Sequence, residues 1–233
     1  MAIGYRLSSG DTGPVQQSPV TCGSACLTVA RMLVNPAFAR WITTGEGPRG
    51  DAPAGATEQE RFAAYERVVM ARTNQLFAGG RRLNLPWPRA LGTPPWGARK
   101  ELEFGAARTG TTYELRMVRQ LTTAGLRTAH SRLLDVVSEG EPALLYIGSA
   151  TLPRHVTLVL PGDGDRVLDV YDPATGRVTL LDESRFAGRA LGLSGWDVPW
   201  VAVQPDGLRR AQAYRFSTGM SSASRTSGVS ASA

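Results

Sequence analysis

The sequence contains, at residues 16–27, the stretch QQSPVTCGSACL, which predicts how the N-terminal part of the chain folds. A polar loop ends at Cys22, and apolar residues follow it at helical spacing. These residues are Ala25, Leu27, Val29, Ala30, Met32 and Leu33. We therefore predict a helix over residues 23–34 with Cys22 at its N-terminus. Pro36 should end this helix, because a proline disfavours helical geometry in the residue before it.

A cysteine at the start of a helix is suited to act as a nucleophile. The unsatisfied N–H groups and the positive end of the helix dipole stabilise the thiolate of Cys22 over the thiol. Gln16, six residues upstream, can bring its amide beside the same sulfur. An attacking thiolate and an N–H that receives the developing oxyanion are what a cysteine acyl-transfer enzyme needs. Two alternatives stay open: Gln17 could replace Gln16, and Cys22 could be a small buried hydrophobe.

This stretch resembles the Gln-x5-Cys-Gly segment of papain-like cysteine peptidases. It is most similar to the C39-like group, which includes leader peptidases that process bacteriocin precursors. The resemblance covers the first helix and the C-terminal part of the chain before its tail, and it does not cover the middle. Papain itself has Cys-Gly-Ser-Cys, whereas Ala25 intervenes here. We therefore interpret Cys26, one turn inside the helix, as core packing.

From Pro142 onward the sequence changes to short apolar runs separated by Gly, Pro and Asp. Strands are predicted over residues 143–147, 155–160, 166–171, 177–181 and 200–203. Tight turns are predicted at 162–165 and 173–176. Helices followed by an antiparallel meander predict an α+β domain. The resemblance implies, more narrowly, a papain-like two-part domain in which N-terminal helices pack on a C-terminal antiparallel sheet.

The middle of the chain is predicted to combine helices with irregular loops. A helix should run from Thr57 to about Phe77, with Thr57 and Glu60 as a capping box and Gly79-Gly80 as its end. Two loops are predicted, a surface loop over residues 43–57 and an irregular loop over 83–99 with Trp87 and Trp96. A helix is predicted over 112–124, with Thr111 and Glu114 as a capping box and Gly125 as its end. A further short helix is predicted over 132–138.

The sequence contains only two histidines, His130 and His155. His130 lies between two predicted helices, while His155 opens a predicted strand and Asp172 follows the next one. Adjacent antiparallel strands bring His155 and Asp172 together if the hairpin register allows it. Asp172 would then orient the imidazole, whose other nitrogen takes the proton of Cys22. Asp169 is the alternative acid, although it points to the opposite face of a strand from Asp172.

The C39-like family carries its general base on a strand and its orienting acid in an Asp-Pro turn after the next strand. The stretch TLLDESRF at residues 179–186 and the lead-in at Tyr113 are also similar to that family. The resemblance implies Cys22 as nucleophile, His155 as base, Asp172 as orienting acid and Gln16 as oxyanion donor. It further implies a peptide or protein substrate that is hydrolysed, with cleavage after small residues such as glycine.

Composition excludes several other classes of function. The formal net charge of +6 comes from scattered arginines, since Lys100 is the only lysine, and we predict no nucleic-acid partner. Two separated histidines and two cysteines one helical turn apart make a poor metal site, so neither a metal nor a cofactor is expected. The cysteines cannot form a disulfide framework. No membrane span and no signal peptide are evident, which predicts a cytoplasmic location.

The sequence predicts one peptidase domain over residues 1–212, with an inserted segment over about 40–105 as a candidate substrate-selecting lid. Residues 213–233 are rich in Ser, Gly and Ala and are predicted to be a disordered tail. Two other functions fit the same residues. One is a different thioester-forming reaction, by a transglutaminase, deamidase or acyltransferase. The other is a catalytically silent peptide-binding module of the same fold. The oligomeric state is left open.

Overall fold

A six-stranded antiparallel sheet separates two groups of helices in the computed structural model. The structure describes residues 4–47, 55–74, 77–78, 82–83, 88, 92–162 and 166–207. The helices are α1 (Cys22–Val34), α2 (Pro36–Thr44), α3 (Glu58–Thr73), α4 (Pro95–Glu101), α5 (Thr123–Val137) and α6 (Glu183–Ala187), and α4 continues into a π-helical turn (Leu102–Ala106). The strands are β1 (Phe77–Ala78), β2 (Arg82–Leu83), β3 (Tyr113–Met117), β4 (Ala143–Gly148), β5 (Pro153–Val159), β6 (Leu168–Tyr171), β7 (Val178–Leu181) and β8 (Val198–Pro205).

The main sheet has the strand order β3-β8-β4-β5-β6-β7, and every neighbouring pair is antiparallel. Strands β4 to β7 form the predicted meander, whereas β8 returns to pair with β4. The short strands β1 and β2 form a separate pair. The predicted class, α+β with N-terminal helices packed on a C-terminal antiparallel sheet, is confirmed.

Successive residues of the central strand β4 enter two different hydrophobic cores, because side chains alternate between the faces of a sheet. Leu144 and Tyr146 join the core formed with α1, α2, α3 and α4. Leu145 and Ile147 join the core formed with α5 and α6. Helices therefore cover both faces, and all six residues of β4 are buried.

The prediction of a helix over residues 112–124 is wrong. Residues 113–117 form strand β3, which pairs with β8, and α5 begins only at Thr123. The Thr122 hydroxyl accepts a hydrogen bond from the Gly125 N–H at 3.2 Å, so Gly125 lies in the first turn of α5 and does not end a helix. The short helix predicted over 132–138 corresponds to the second half of α5. His130, expected between two helices, lies within α5.

The N-terminal helices agree with the sequence in part. The first helix is present, and the Pro36 that ends it also starts α2, because proline fits the first position of a helix. The capping box of α3 forms as predicted, but α3 ends at Thr73 and residues 77–78 form a strand. Residues 79–80, the predicted end of that helix, lie outside the described residues.

Two predicted loops contain helices. α2 extends to Thr44, inside the loop predicted over residues 43–57. α4 begins at Pro95, inside the irregular loop predicted over 83–99, again with proline at its first position. Trp87, most of the turn at 162–165 and the predicted tail over 213–233 lie outside the described residues. In the described part of the chain, no helix is both long and apolar enough to cross a membrane.

Candidate active site

The candidate nucleophile is the first residue of α1. Cys22 is only 2% exposed, and both cysteines of the chain are free thiols. The residue before it, Thr21, closes a turn with Ser18: its hydroxyl donates to the Ser18 carbonyl at 2.9 Å and accepts from the Ser18 N–H at 3.1 Å. These bonds fold the polar loop back on itself at the point where α1 begins.

The sheet brings the predicted base and the predicted acid together. Strands β5 and β6 pair with Leu158 opposite Tyr171, and one more step of this register puts Thr157 opposite Asp172. His155 lies two residues before Thr157 and is a diagonal neighbour of Asp172, within reach of a long side chain. The Nε2 atom of His155 lies 2.7 Å from Oδ1 of Asp172, and both side chains are about 5% exposed.

The imidazole of His155 also hydrogen-bonds the side chain of Cys22. Since Nε2 is engaged by Asp172, Nδ1 is the ring nitrogen that remains available to the sulfur. A buried chain of sulfur, imidazole and carboxylate results. Three residues that are distant in the sequence thus lie in one hydrogen-bonded group.

The charges in this group favour a protonated imidazole. Burial alone would lower the pKa of His155, but hydrogen bonds to Asp172 and Cys22 outweigh it and raise the pKa to about 9. Burial likewise opposes ionisation of Asp172. Hydrogen bonds from His155 and Ser194 overcome that cost and hold the pKa of Asp172 below its usual value. The site is therefore arranged to hold an imidazolium next to a carboxylate.

Ser194 is part of this group, and sequence analysis did not identify it. Its hydroxyl donates to Oδ2 of Asp172 at 2.5 Å, opposite the oxygen that binds His155. The Ala174 N–H adds a bond to Oδ1 at 3.0 Å. Ser194 has a left-handed backbone conformation, with φ of 46°. The Ser194-Gly195 pair signals a turn, but nothing local in the sequence connects that turn to Asp172, 22 residues away.

Gln16 is tied to the loop around Asp172. Its backbone N–H donates to the Pro173 carbonyl at 2.8 Å, and its side-chain Nε2 donates to the Ser18 carbonyl at 2.8 Å. The side-chain oxygen Oε1 is buried and has no hydrogen-bond partner. Gln17, the alternative, is exposed, and its side-chain amide donates to the Val15 carbonyl at 3.1 Å.

A glycine from the inserted segment lies against the sulfur. A Cβ atom on Gly92 would lie 3.8 Å from Sγ of Cys22 and 2.8 Å from the carbonyl oxygen of Val20. Gly92 also has φ of 72°, which side-chain-bearing residues rarely adopt. The next residue, Thr93, fills the space above Gly23, where a Cβ atom would lie 2.6 Å from that of Thr93. Only a glycine fits at residue 92.

The remaining candidate residues lie apart from this group. Cys26 is fully buried, its thiol donates to the Val156 carbonyl at 3.4 Å, and burial raises its pKa well above the usual value. His130 is buried in the core formed with α5 and α6, where its Nε2 bonds the Leu181 carbonyl at 3.2 Å. The carboxylate that binds His155 is Asp172, and Asp169 lies within β6 opposite Leu180.

Side chains that bind metals are not clustered in the described residues. Within them, no three His, Cys, Asp or Glu side chains are grouped so that they could hold a metal ion.

Eight solved chains are similar in structure to this protein, and two of them serve as examples. No protein-family model and no curated protein sequence matches the chain. The peptidase domain of Streptococcus ComA, a bifunctional ABC transporter involved in a quorum sensing pathway, is similar at 15% identity and a TM-score of 0.38, over 83% of this chain and 98% of that domain. The Pseudomonas avirulence protein AvrPphB is similar at 13% identity and a TM-score of 0.42, over 82% of this chain and 95% of that one. Neither likeness is close enough to assign an activity.

Proposed function

We propose that this protein is a papain-like cysteine peptidase of the C39-like type, with Cys22 as nucleophile, His155 as general base and Asp172 as orienting acid. One observation carries the proposal: a buried imidazole hydrogen-bonds a helix N-terminal thiol on one side and a carboxylate on the other. The motif around Cys22 supports the same assignment. The domain comprises residues 1–212 in this proposal.

The proposed reaction begins with transfer of the Cys22 proton to Nδ1 of His155. The thiolate attacks the carbonyl carbon of the substrate, and the C–N bond breaks as the imidazolium returns its proton to the leaving amine. Water, deprotonated by the same imidazole, then hydrolyses the thioester. Asp172 accepts the Nε2–H bond throughout, which fixes the ring orientation and stabilises the imidazolium.

Gln16 is the proposed oxyanion donor. A side-chain amide has two N–H groups, and the Ser18 carbonyl accepts one of them. The second N–H can donate to the oxygen that becomes negative when the thiolate attacks. A single donor of this kind contributes about 10²–10³ in kcat in a well-studied peptidase.

The substrate is proposed to be a peptide with a small residue, such as glycine, before the cleaved bond. The approach of Gly92 to the sulfur and the low exposure of Cys22 leave little room for a large side chain there. Gly92 belongs to the inserted segment over about residues 40–105. We therefore assign substrate selection to this segment.

A peptide-library digestion tests the proposal. The purified chain should release peptides cleaved after small residues, and Cys22→Ala should abolish the activity. Cys26→Ala, which removes the other thiol, is the matched control and should retain it. Parallel digestions with an added primary amine distinguish hydrolysis from transfer by product mass.

Iodoacetamide labelling distinguishes catalysis from mere peptide binding. A peptidase site predicts fast alkylation of Cys22 near pH 6, strongly reduced in His155→Ala. Ordinary thiol reactivity that is unchanged in this variant, together with no cleavage of any library peptide, would contradict the proposal and support a catalytically silent binding module.

A further inference from the structure

A buried glutamate lies beneath the loop that carries Gln16. Glu66, in the middle of α3, has no exposed surface. Its carboxyl oxygens accept from the Gln17 backbone N–H, with Oε2 at 3.2 Å and Oε1 at 3.4 Å. The Thr21 hydroxyl also hydrogen-bonds this carboxyl. The partners of Glu66 are thus neutral groups from the two ends of one short loop.

The same loop connects Glu66 to the proposed oxyanion donor. Thr21 bonds both backbone groups of Ser18, and the carbonyl of Ser18 accepts the side-chain amide of Gln16. On its other side, the loop is attached to the sheet through the Gln16 N–H and the Pro173 carbonyl. A movement of Gln17 or Thr21 would therefore shift the Gln16 amide.

The surroundings of Glu66 favour a neutral carboxylic acid. Burial raises the pKa of Glu66 to about 7 and outweighs the hydrogen bonds with Thr21 and Gln17 and the charge of Arg67, which lower it. Arg67, on the same helix, is exposed. From the elements packed against Glu66, the titratable groups whose charges reach it are Cys26 of α1 and Tyr171 of β6. Burial raises the pKa of both well above its usual value, so both stay neutral.

A protonated Glu66 can bond both of its partners in the loop, Gln17 and Thr21. One oxygen accepts from the Gln17 N–H, and the other donates its proton to the Thr21 oxygen. The Thr21 hydroxyl then donates to the Ser18 carbonyl, as the 2.9 Å distance indicates. Ionisation removes the donor and puts a negative charge below a loop that has to stabilise a negative oxygen.

We propose that Glu66 is a positioning residue that holds the 16–21 loop, and with it the Gln16 amide, by donating a hydrogen bond as a neutral acid. This rests on the proposed function of Gln16 as oxyanion donor. Glu66 acts through the loop and does not touch the reacting atoms.

The pH profile of kcat/KM tests this inference with Glu66→Gln, since glutamine keeps one acceptor and one donor and cannot ionise. In the wild-type protein kcat/KM should fall several-fold as the pH rises through about 7, before any loss from titration of His155. Glu66→Gln should match the wild type at pH 6 and lack this fall. Glu66→Ala should lower kcat about tenfold with little change in KM. Glu58→Gln, an exposed glutamate on the same helix, is the control and should keep the wild-type profile.

Thermal unfolding tests the protonation state without any substrate. Because folding raises the pKa of Glu66, its contribution to stability is present below the ordinary pKa of glutamate and is lost as the pH rises through about 7. The increase in Tm caused by Glu66→Gln should thus be several degrees larger at pH 8 than at pH 5. Equal increases at both pH values, or a wild-type pH profile in Glu66→Gln, would overturn the inference.

Amide hydrogen exchange separates this inference from the peptidase proposal. Glu66→Ala should speed exchange in the loop of residues 16–21, while Glu66→Gln should preserve its protection. Unchanged exchange in Glu66→Ala would overturn the positioning role. If no peptide is hydrolysed, the proposed function fails, and the exchange and Tm results still decide whether a neutral Glu66 holds the loop.

Discussion

At the scale of single residues, the site depends on one imidazole with two different partners. His155 hydrogen-bonds the side chain of Cys22 and, through Nε2, the carboxylate of Asp172, which is itself held by Ser194. The carboxylate orients the ring, and the proximity of an ionisable sulfur favours its protonated form. Substitution of either partner should therefore change how His155 titrates.

NMR titration of the two histidines measures this coupling directly. In the wild-type protein, His155 should titrate with a pKa of about 9. Cys22→Ala should lower the pKa of His155, because it removes the hydrogen bond and the electrostatic interaction with the sulfur that raise this pKa. His130 serves as the internal reference, since neither Cys22 nor Asp172 affects its pKa, which burial lowers. A His155 signal that does not move in Cys22→Ala would show that the two side chains are not coupled.

The substitution Ser194→Ala tests the hydrogen bond that Ser194 donates to Asp172. It removes a hydrogen bond to a buried carboxylate, and such a bond contributes about 1.5–3 kcal/mol. We expect kcat to decrease roughly tenfold, because part of this free energy stabilises the transition state. It should also raise the pKa of Asp172 and move the acid limb of the kcat profile to higher pH. Ser184→Ala, which removes a similar serine–aspartate bond at the surface, is the control. An acid limb that stays in place would indicate that Ser194 does not act through Asp172.

At the scale of secondary structure, two helices position the site and their start signals differ. α3, which carries Glu66, begins with a complete capping box that the sequence predicts from Thr57 and Glu60. α1 begins without a side-chain cap, and its N-terminus is occupied by the candidate nucleophile instead. A helix start with N–H groups left for other partners is what an anionic sulfur and an oxyanion require.

The substitution Thr57→Ala should weaken α3 by about 1 kcal/mol, because it leaves a helix N–H group without a side-chain partner. In a domain of this size that corresponds to a decrease in Tm of about 2–4 °C. Thr57→Ser keeps the hydroxyl and should unfold close to the wild-type temperature. Equal decreases in both variants would show that the capping bond contributes nothing. Differential scanning calorimetry at fixed pH provides the measurement.

At the scale of the whole molecule, the sheet separates two cores with different roles. The core formed with α1 to α4 supports Cys22, while the core formed with α5 and α6 holds the reverse face of the same strands. His130 belongs to the second core, where its ring packs on Phe186 at 5.6 Å. Since His130 lies in this core and away from Cys22, we predict that it contributes to stability.

His130→Gln tests this structural role through the pH dependence of unfolding. Burial lowers the pKa of His130 in the folded state, against the bond to the Leu181 carbonyl and nearby acids, which raise it. Below the ordinary pKa of about 6.5, the unfolded state binds a proton that the folded state rejects, so stability should fall as the pH falls. Glutamine can keep the bond to Leu181 without titrating. The Tm difference between His130→Gln and the wild type should become more positive from pH 8 to pH 5.

The variant has to be compared with the wild type at each pH, because the contribution of Glu66 to stability changes with pH in the opposite direction to that of His130. The proposed peptidase activity should be unchanged in His130→Gln. A Tm difference that is the same at both pH values would show that protonation of His130 does not affect stability. A loss of activity would place His130 in the site.

The sequence by itself predicted the first helix, the capping box of α3 and the five C-terminal strands, because each depends on local periodicity and capping. It failed at residues 112–124, although YELRM at residues 113–117 alternates apolar and polar side chains as a strand does, because Thr111 and Glu114 resemble a capping box and Gly125 resembles a helix stop. The pairing with β8, 90 residues later for Glu114 and Gln204, determined that this segment is a strand.

For the candidate site, the sequence indicated Gln16, Cys22, His155 and Asp172 through a motif and through the scarcity of histidines. Only the tertiary structure brought in Ser194, Gly92 and Glu66. Each of these reaches the site through one side chain or one close backbone contact, and no local pattern encodes such a contact. The sequence determines which elements form and which reactive groups exist, while tertiary packing decides which groups touch and which buried acid has a raised pKa.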